Sequence, residues 1–152
     1  MYGQRVGAMI GISSSEDIIR EFQEINQYTS RATWSNISRA GMAILARISQ
    51  DENKLADFRQ EQAEYFQLIH ERADIFMKEA ADVGLRMLPY RAGFFISIPT
   101  AYAKEVCECL HEDNIFLVPL KAGIRIAVCA VPKRKMKGMA QKIYQAMQAF
   151  EK

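Results

Sequence analysis

Apolar residues recur at threes and fours along most of this chain, but the pattern departs from helical spacing at the start and again after Gly84. Residues 6–12 (VGAMIGI) are apolar and glycine-rich, without polar alternation. Such a run is read as a strand buried on both faces, as in the interior of a parallel sheet, and it expects strand neighbours on either side. Ser13 and Glu16 then form a capping-box pattern, opening a helix with Ile18, Ile19, Phe22 and Ile25 on one face. Residues 29–36 (TSRATWSN) are polar and turn-like. Ser35 or Asn36 is placed to cap a second helix, with Ile37, Gly41, Ile44, Leu45 and Ile48 at helical spacing. Ser49 and Glu52 make another capping box ahead of a third, much longer helix. Its apolar stripe runs through Leu55, Phe58, Phe66, Ile69, Phe76 and Val83 and stops at Gly84. At 1.5 Å per residue the helix from 51 to 83 spans roughly 50 Å, a length that suits a rod joining two domains. The predicted boundary is at its start, giving domains over residues 1–48 and 49–152.

After Gly84 the period shortens. Residues 86–88 read as a short strand ended by Pro89, and residues 93–98 (GFFISI) as a strand with Phe94 and Phe95 on opposite faces. A helix is predicted over 101–111 with Tyr102, Val106, Cys109 and Leu110 inward. Residues 115–120 and 124–131 read as strands. Pro132 breaks the second and suits the first turn of a final helix striped by Met136, Met139, Ile143, Met147 and Phe150. The fold class expected is α/β: a remnant of a parallel-sheet domain, then a small mixed α/β domain.

Composition excludes more than it identifies. Hydrophobic residues make up 49% and charged residues 25% of the 152 residues, ordinary for a globular chain. Twenty basic against 18 acidic residues leave a formal charge of +2, which argues against nucleic acid or an anionic membrane as the main partner. No apolar run is long enough to span a bilayer, and no secretory pattern opens the chain, so a cytoplasmic location is expected. Cys107, Cys109 and Cys129 cannot complete a disulfide set, and with His70 and His111 they lack metal-ligand spacing. Reduced thiols and no metal are expected.

Two arginines stand out. Arg5 lies between Gly3 and Gly7, where a ligand can approach the backbone, and its planar guanidinium suits phosphate or carboxylate. On this feature alone a solvated strand-end arginine is the better explanation, since strand-end arginines are common. Arg125 interrupts the apolar strand GIRIAV, sharing a face with the small residues Ala127 and Cys129. A charge within such a strand needs a partner or a route to solvent, and small neighbours leave room for a substrate carboxylate.

Four segments in order resemble the class I/II aminotransferases related to aspartate aminotransferase. YGQRVGAMIGIS resembles the stretch that follows that family's catalytic lysine. SRATWSN resembles its R-x-x-Y-S-N/S segment, with Trp34 in place of tyrosine. PYRAGFFISI resembles the glycine-aromatic strand of its small domain, and GIRIAV its G-R-I strand, although here Ile124 separates Gly123 from the arginine. The resemblance covers essentially the whole chain. It implies a fold-type-I enzyme, dependent on pyridoxal phosphate, that transfers an amino group between an amino acid and a 2-oxo acid and works as a homodimer. Arg5 would bind the cofactor phosphate and Arg125 the substrate α-carboxylate. Arg31 would hold the distal carboxylate of aspartate or glutamate in the neighbouring subunit's site, and Phe94 or Phe95 would line the pocket. An aromatic amino acid is a second candidate substrate.

By the same resemblance the Schiff-base lysine lies about eight residues before Arg5, upstream of Met1. Lys54, Lys78, Lys104 and Lys121 fall in other segments. The chain is therefore expected to be a carboxy-terminal fragment that neither binds the cofactor stably nor catalyses alone. The rival readings are a non-catalytic α/β module that binds an anionic small molecule through Arg125, and an interaction or structural fragment.

Overall fold

In the computed structural model, which describes residue 3 and residues 5–150, the chain divides into two compact units, Met1–Gln60 and Glu61–Lys152. The first contains helices α1 (Glu16–Thr33) and α2 (Arg39–Ser49) and the start of α3 (Glu52–Val83), a continuous helix of 32 residues. Residues 6–12 form no regular element, and Met9, Ile10 and Ile12 are exposed. The expected strand is absent because a strand satisfies its backbone only against a neighbour, and this unit has no other strand among its described residues.

Local polar contacts moved the helix boundaries. Residues 29–33 continue α1 instead of turning. The Ser30 hydroxyl donates to the Gln27 carbonyl at 3.0 Å and the Thr33 hydroxyl to the Thr29 carbonyl at 2.7 Å, so these side chains bond back onto their own helix. The turn comes at Ser35, whose φ of 64° is left-handed. Ser15, not Ser13, precedes α1, and Ser38 precedes α2. The cap of α3 is Asp51: its carboxylate accepts from the Lys54 N–H at 3.1 Å and also bonds the Lys54 ammonium. These bonds hold the Asp51 carboxyl below its ordinary value. Ser49, the expected cap, donates back to the Ala46 carbonyl of α2 instead.

The second unit has a core. Strands β1 (Phe95–Pro99), β2 (Val118–Leu120) and β3 (Gly123–Ala127) form an antiparallel sheet in the order β1-β3-β2. β1 pairs with β3 from Phe95–Ala127 to Pro99–Gly123, and β2 pairs with it from Val118–Arg125 to Leu120–Gly123. Ile96, Ile98, Ile124 and Ile126 go to one face and are buried. They cluster with Phe76 of α3 and with α4 (Ala103–Leu110) and α6 (Met139–Gln148). Each isoleucine so buried contributes about 1.5–3 kcal/mol. β2 and β3 are shorter than predicted, and residues 86–88 are not a strand, although Leu88 N–H donates to the Ser97 carbonyl at 2.9 Å. The final helix is split into α5 (Lys133–Met136) and α6, with Gly138 between them at φ 82°. Glu79 of α3 accepts from the Gly138 and Gln141 N–H groups at 2.8 and 3.0 Å, capping α6 from a distant element.

Gly123 opens β3 opposite Pro99 of β1. A Cβ there would run into the Ile98 carbonyl oxygen on β1, and backbone cannot step aside. The close approach of β1 and β3 therefore requires glycine at 123, next to the buried Ile124. Gly123→Ala is expected to lower unfolding stability by at least about 2 kcal/mol, and Phe76→Ala by about 3–5 kcal/mol. Leu120→Ala, on an exposed site, should cost far less. Urea unfolding of the three variants, followed by circular dichroism, measures the order.

Candidate functional site

Cross-strand register assembles the site on the face of the sheet opposite the buried isoleucines. Residues paired across strands share a face, so Ser97, Arg125 and Val118 form one row and Phe95 and Ala127 the next. This face is not covered by the helices of the unit: Phe95 is 46% exposed, Val118 40% and Leu120 44%. Arg125 does not point between the sheet and the long helix. α3 packs through Phe76 and Ala80 on the isoleucine side, so the strand pleat sends Arg125 the other way.

Arg125 is half-buried. Its guanidinium carbon lies 4.5 Å from the centroid of the Phe95 ring, a cation–π contact that fixes the side chain against the sheet. Phe94 meets Phe95 edge-on, with centroids 6.4 Å apart and planes at 82°. The Arg125 Nε is buried without a hydrogen-bond partner, and no carboxylate among the described residues forms an ion pair with the side chain. A buried donor left unmade costs about 1–3 kcal/mol, so a planar anion that meets it gains that much over one that does not.

The structure brings together Arg125, Phe95 and Phe94. Arg5 and Arg31 belong to the other unit. Arg5 is exposed, with a left-handed φ of 51°. Arg31 is exposed near the end of α1, and its Nη1 donates to the Ser35 hydroxyl at 2.9 Å. Sequence reasoning missed Arg72. Its Nη1 donates to the Cys129 carbonyl at 2.8 Å, just beyond β3, and its Nε is also buried without a partner. The signal available was an arginine directly beside the buried stripe of α3, at Ala73 and Phe76.

All three cysteines are free thiols. The inward stripe of α4 is Ala103, Val106, Cys107 and Leu110, so Cys107 is buried and Cys109 exposed, the reverse of the predicted facing; Tyr102 is also exposed. Burial pushes the Cys107 thiol above its ordinary value. Among the described residues no group of three or more His, Cys, Asp or Glu is placed to hold a metal, and no helix is long and apolar enough to cross a membrane.

This geometry defines a small mixed α/β domain with an arginine and an aromatic pair on its open sheet face. The chain belongs to the class I and II aminotransferases: the profile of that family, "Aminotransferase class I and II", matches residues 1–143. An aminotransferase of solved structure from Anaerococcus prevotii is similar over 97% of this chain, with 35% sequence identity and a TM-score of 0.89. The chain spans 36% of the length of that protein. No curated protein matches it.

Iodoacetamide near pH 8 should modify Cys109 and Cys129 in the folded protein and leave Cys107 untouched until denaturant is added. Peptide mass mapping reads the order; early labelling of Cys107 would contradict its burial.

Proposed function

We propose that this chain is the carboxy-terminal part of an amino acid aminotransferase, and that Arg125 grips the α-carboxylate of the amino acid and of the 2-oxo acid. One observation carries the reading: a half-buried arginine, braced by Phe95, with an unmet buried Nε–H and no ion-paired carboxylate among the described residues. A carboxylate approaching the open sheet face meets a guanidinium that is already oriented, so little side-chain entropy is lost on binding. Phe94 and Phe95 give the pocket an apolar wall, which strengthens the ion pair by excluding water. In this reading Arg31 exchanges its bond to Ser35 for the distal carboxylate of aspartate or glutamate in a neighbouring subunit of a homodimer. Residues 1–48 are the remnant of the cofactor-binding domain, and the enzyme is cytoplasmic.

Pyridoxal phosphate, the cofactor of this reading, supplies the electron sink that makes the amino acid α-carbon acidic. The residues present do not by themselves fit it. Arg5 suits the phosphate, but every lysine of the given sequence, from Lys54 in α3 onward, follows Arg5, and none stands at the family's position before it. The 152-residue chain alone is therefore proposed to be inactive.

Two measurements test this. Purified chain given glutamate, several 2-oxo acids and pyridoxal phosphate should show no turnover. A rate within about tenfold of a typical enzyme's roughly 10 per second would overturn the inactivity. Glutarate titrated into labelled chain should shift the amides of residues 95–97 and 124–126, and Arg125→Lys, which loses the fork, should weaken that binding at least about tenfold. Equal binding by the variant would remove Arg125 from the site.

A further inference from the structure

The second unit holds another concavity whose chemistry the proposed transamination does not use. A groove of about 580 Å³ is lined by residues 113–117 and by parts of 130–142. Its charge is unbalanced. Lys135, Lys137 and Lys142 line it against one carboxylate, Asp113, which leaves two positive charges in excess. Lys142 Nζ is 2.6 Å from Asp113 Oδ1, so that pair is neutralised internally. Lys135 and Lys137 form no ion pair among the described residues, and Arg134 adds a further cation on the same segment. The start of α6 does not supply the anion-binding groups, because Glu79 already occupies its Gly138 and Gln141 N–H groups. The excess charge is that of the lysine side chains.

Apart from Asn114 and Gly138, the rest of the lining is apolar, with Ile115, Phe116, Leu117, Val131 and Met139 its large side chains. Phe116 is 72% exposed, touched by the His111 ring at 5.0 Å between centroids. Phe116 thus lines the same space as Lys135 and Lys137, which have no ion-pair partner among the described residues. An inorganic ion would use the lysines and leave the apolar lining wet, and a neutral hydrocarbon would do the opposite. A ligand carrying both features satisfies both, and the volume falls in the range of about 300–1,000 Å³ usual for small-molecule sites.

We propose that this groove binds a small organic anion, with an aromatic or branched apolar group against Phe116 and Met139 and a phosphate or carboxylate held by Lys135 and Lys137. The test titrates phenyl phosphate into the isotope-labelled full chain and follows backbone amides by NMR. Saturable shifts should be confined to residues 113–117 and 130–142. The double variant K135Q/K137Q, at exposed positions that the fold does not need, should weaken binding at least about tenfold. Phe116→Ala should reduce the affinity to that of inorganic phosphate, and Arg125→Lys should leave it unchanged, which separates this groove from the sheet-face site. Absence of shifts at these amides at millimolar ligand overturns the proposal. So does equal binding of inorganic phosphate and phenyl phosphate by the unsubstituted chain, which would mean a counter-ion only. Loss of the shifts in Arg125→Lys would assign them to the sheet face and would equally overturn it.

Discussion

Burial of alternate residues of β3 is the constraint on which the rest of the second unit depends. Ile124, Ile126 and Val128 are excluded from water, and the pleat then sends Arg125 and Ala127 to the opposite side. A slip of one residue would put the guanidinium into an apolar core and three large aliphatic groups into solvent. The desolvation of an unpaired charge alone forbids that register. β1 repeats the logic, with Ile96 and Ile98 inward and Phe95 and Ser97 outward, so the aromatic that braces Arg125 is delivered by the same alternation. Gly123 lets the two strands come close enough at their far end to keep this register.

α3 serves the sheet in two ways. Its apolar positions Ala73, Phe76 and Ala80 fill the core, and the polar positions beside them hold the segment that leaves β3. Arg72 holds the Cys129 carbonyl, Glu71 pairs with Lys133, and Glu79 caps α6. The Arg72 and Glu79 contacts replace backbone partners that β3 loses when it stops at Ala127 and that α6 lacks at its first turn. The Glu71–Lys133 pair is partly exposed and adds little to stability, but it lies on the same segment and helps set its path. The walls of the basic groove are thus placed from α3, although α3 does not line it.

The alternation GIRIAV was legible from sequence, as were the glycine-led strand before it and the length of α3, because each reflects burial within one continuous element. The face of Arg125 was also legible, but not what lay beyond it, since nothing in the strand tells which side the long helix covers. Caps were read less well. Ser13 and Ser49 fit the capping pattern, yet Asp51 and Ser15 stand at the helix starts: the Asp51 carboxylate takes the Lys54 N–H, while the Ser13 hydroxyl accepts from the Ser15 N–H ahead of α1. Arg72 was invisible because its acceptor lies 57 positions away. The facing of Cys107 and Cys109 turned on which residue flanks the correctly read positions Val106 and Leu110: Cys107 lies one turn beyond the buried Ala103 and shares its face, and Cys109 does not.

The first unit shows the limit of local reading from the other side. Helices α1 and α2 form where the periodicity places them, yet of the described residues in that unit Gly41 alone is buried. A helix closes its hydrogen bonds within itself, so its backbone is satisfied whatever covers its apolar face. A strand has no such independence: residues 6–12 carry the composition of a doubly covered strand and remain irregular, with Ile12 94% exposed. The difference between the two outcomes lies in the range of the bonds, not in the strength of the pattern. Elements whose hydrogen bonds are local appear in this chain wherever the sequence asks for them. Those whose bonds are long-range appear only where the chain itself supplies the neighbour, as β1 and β2 do for β3.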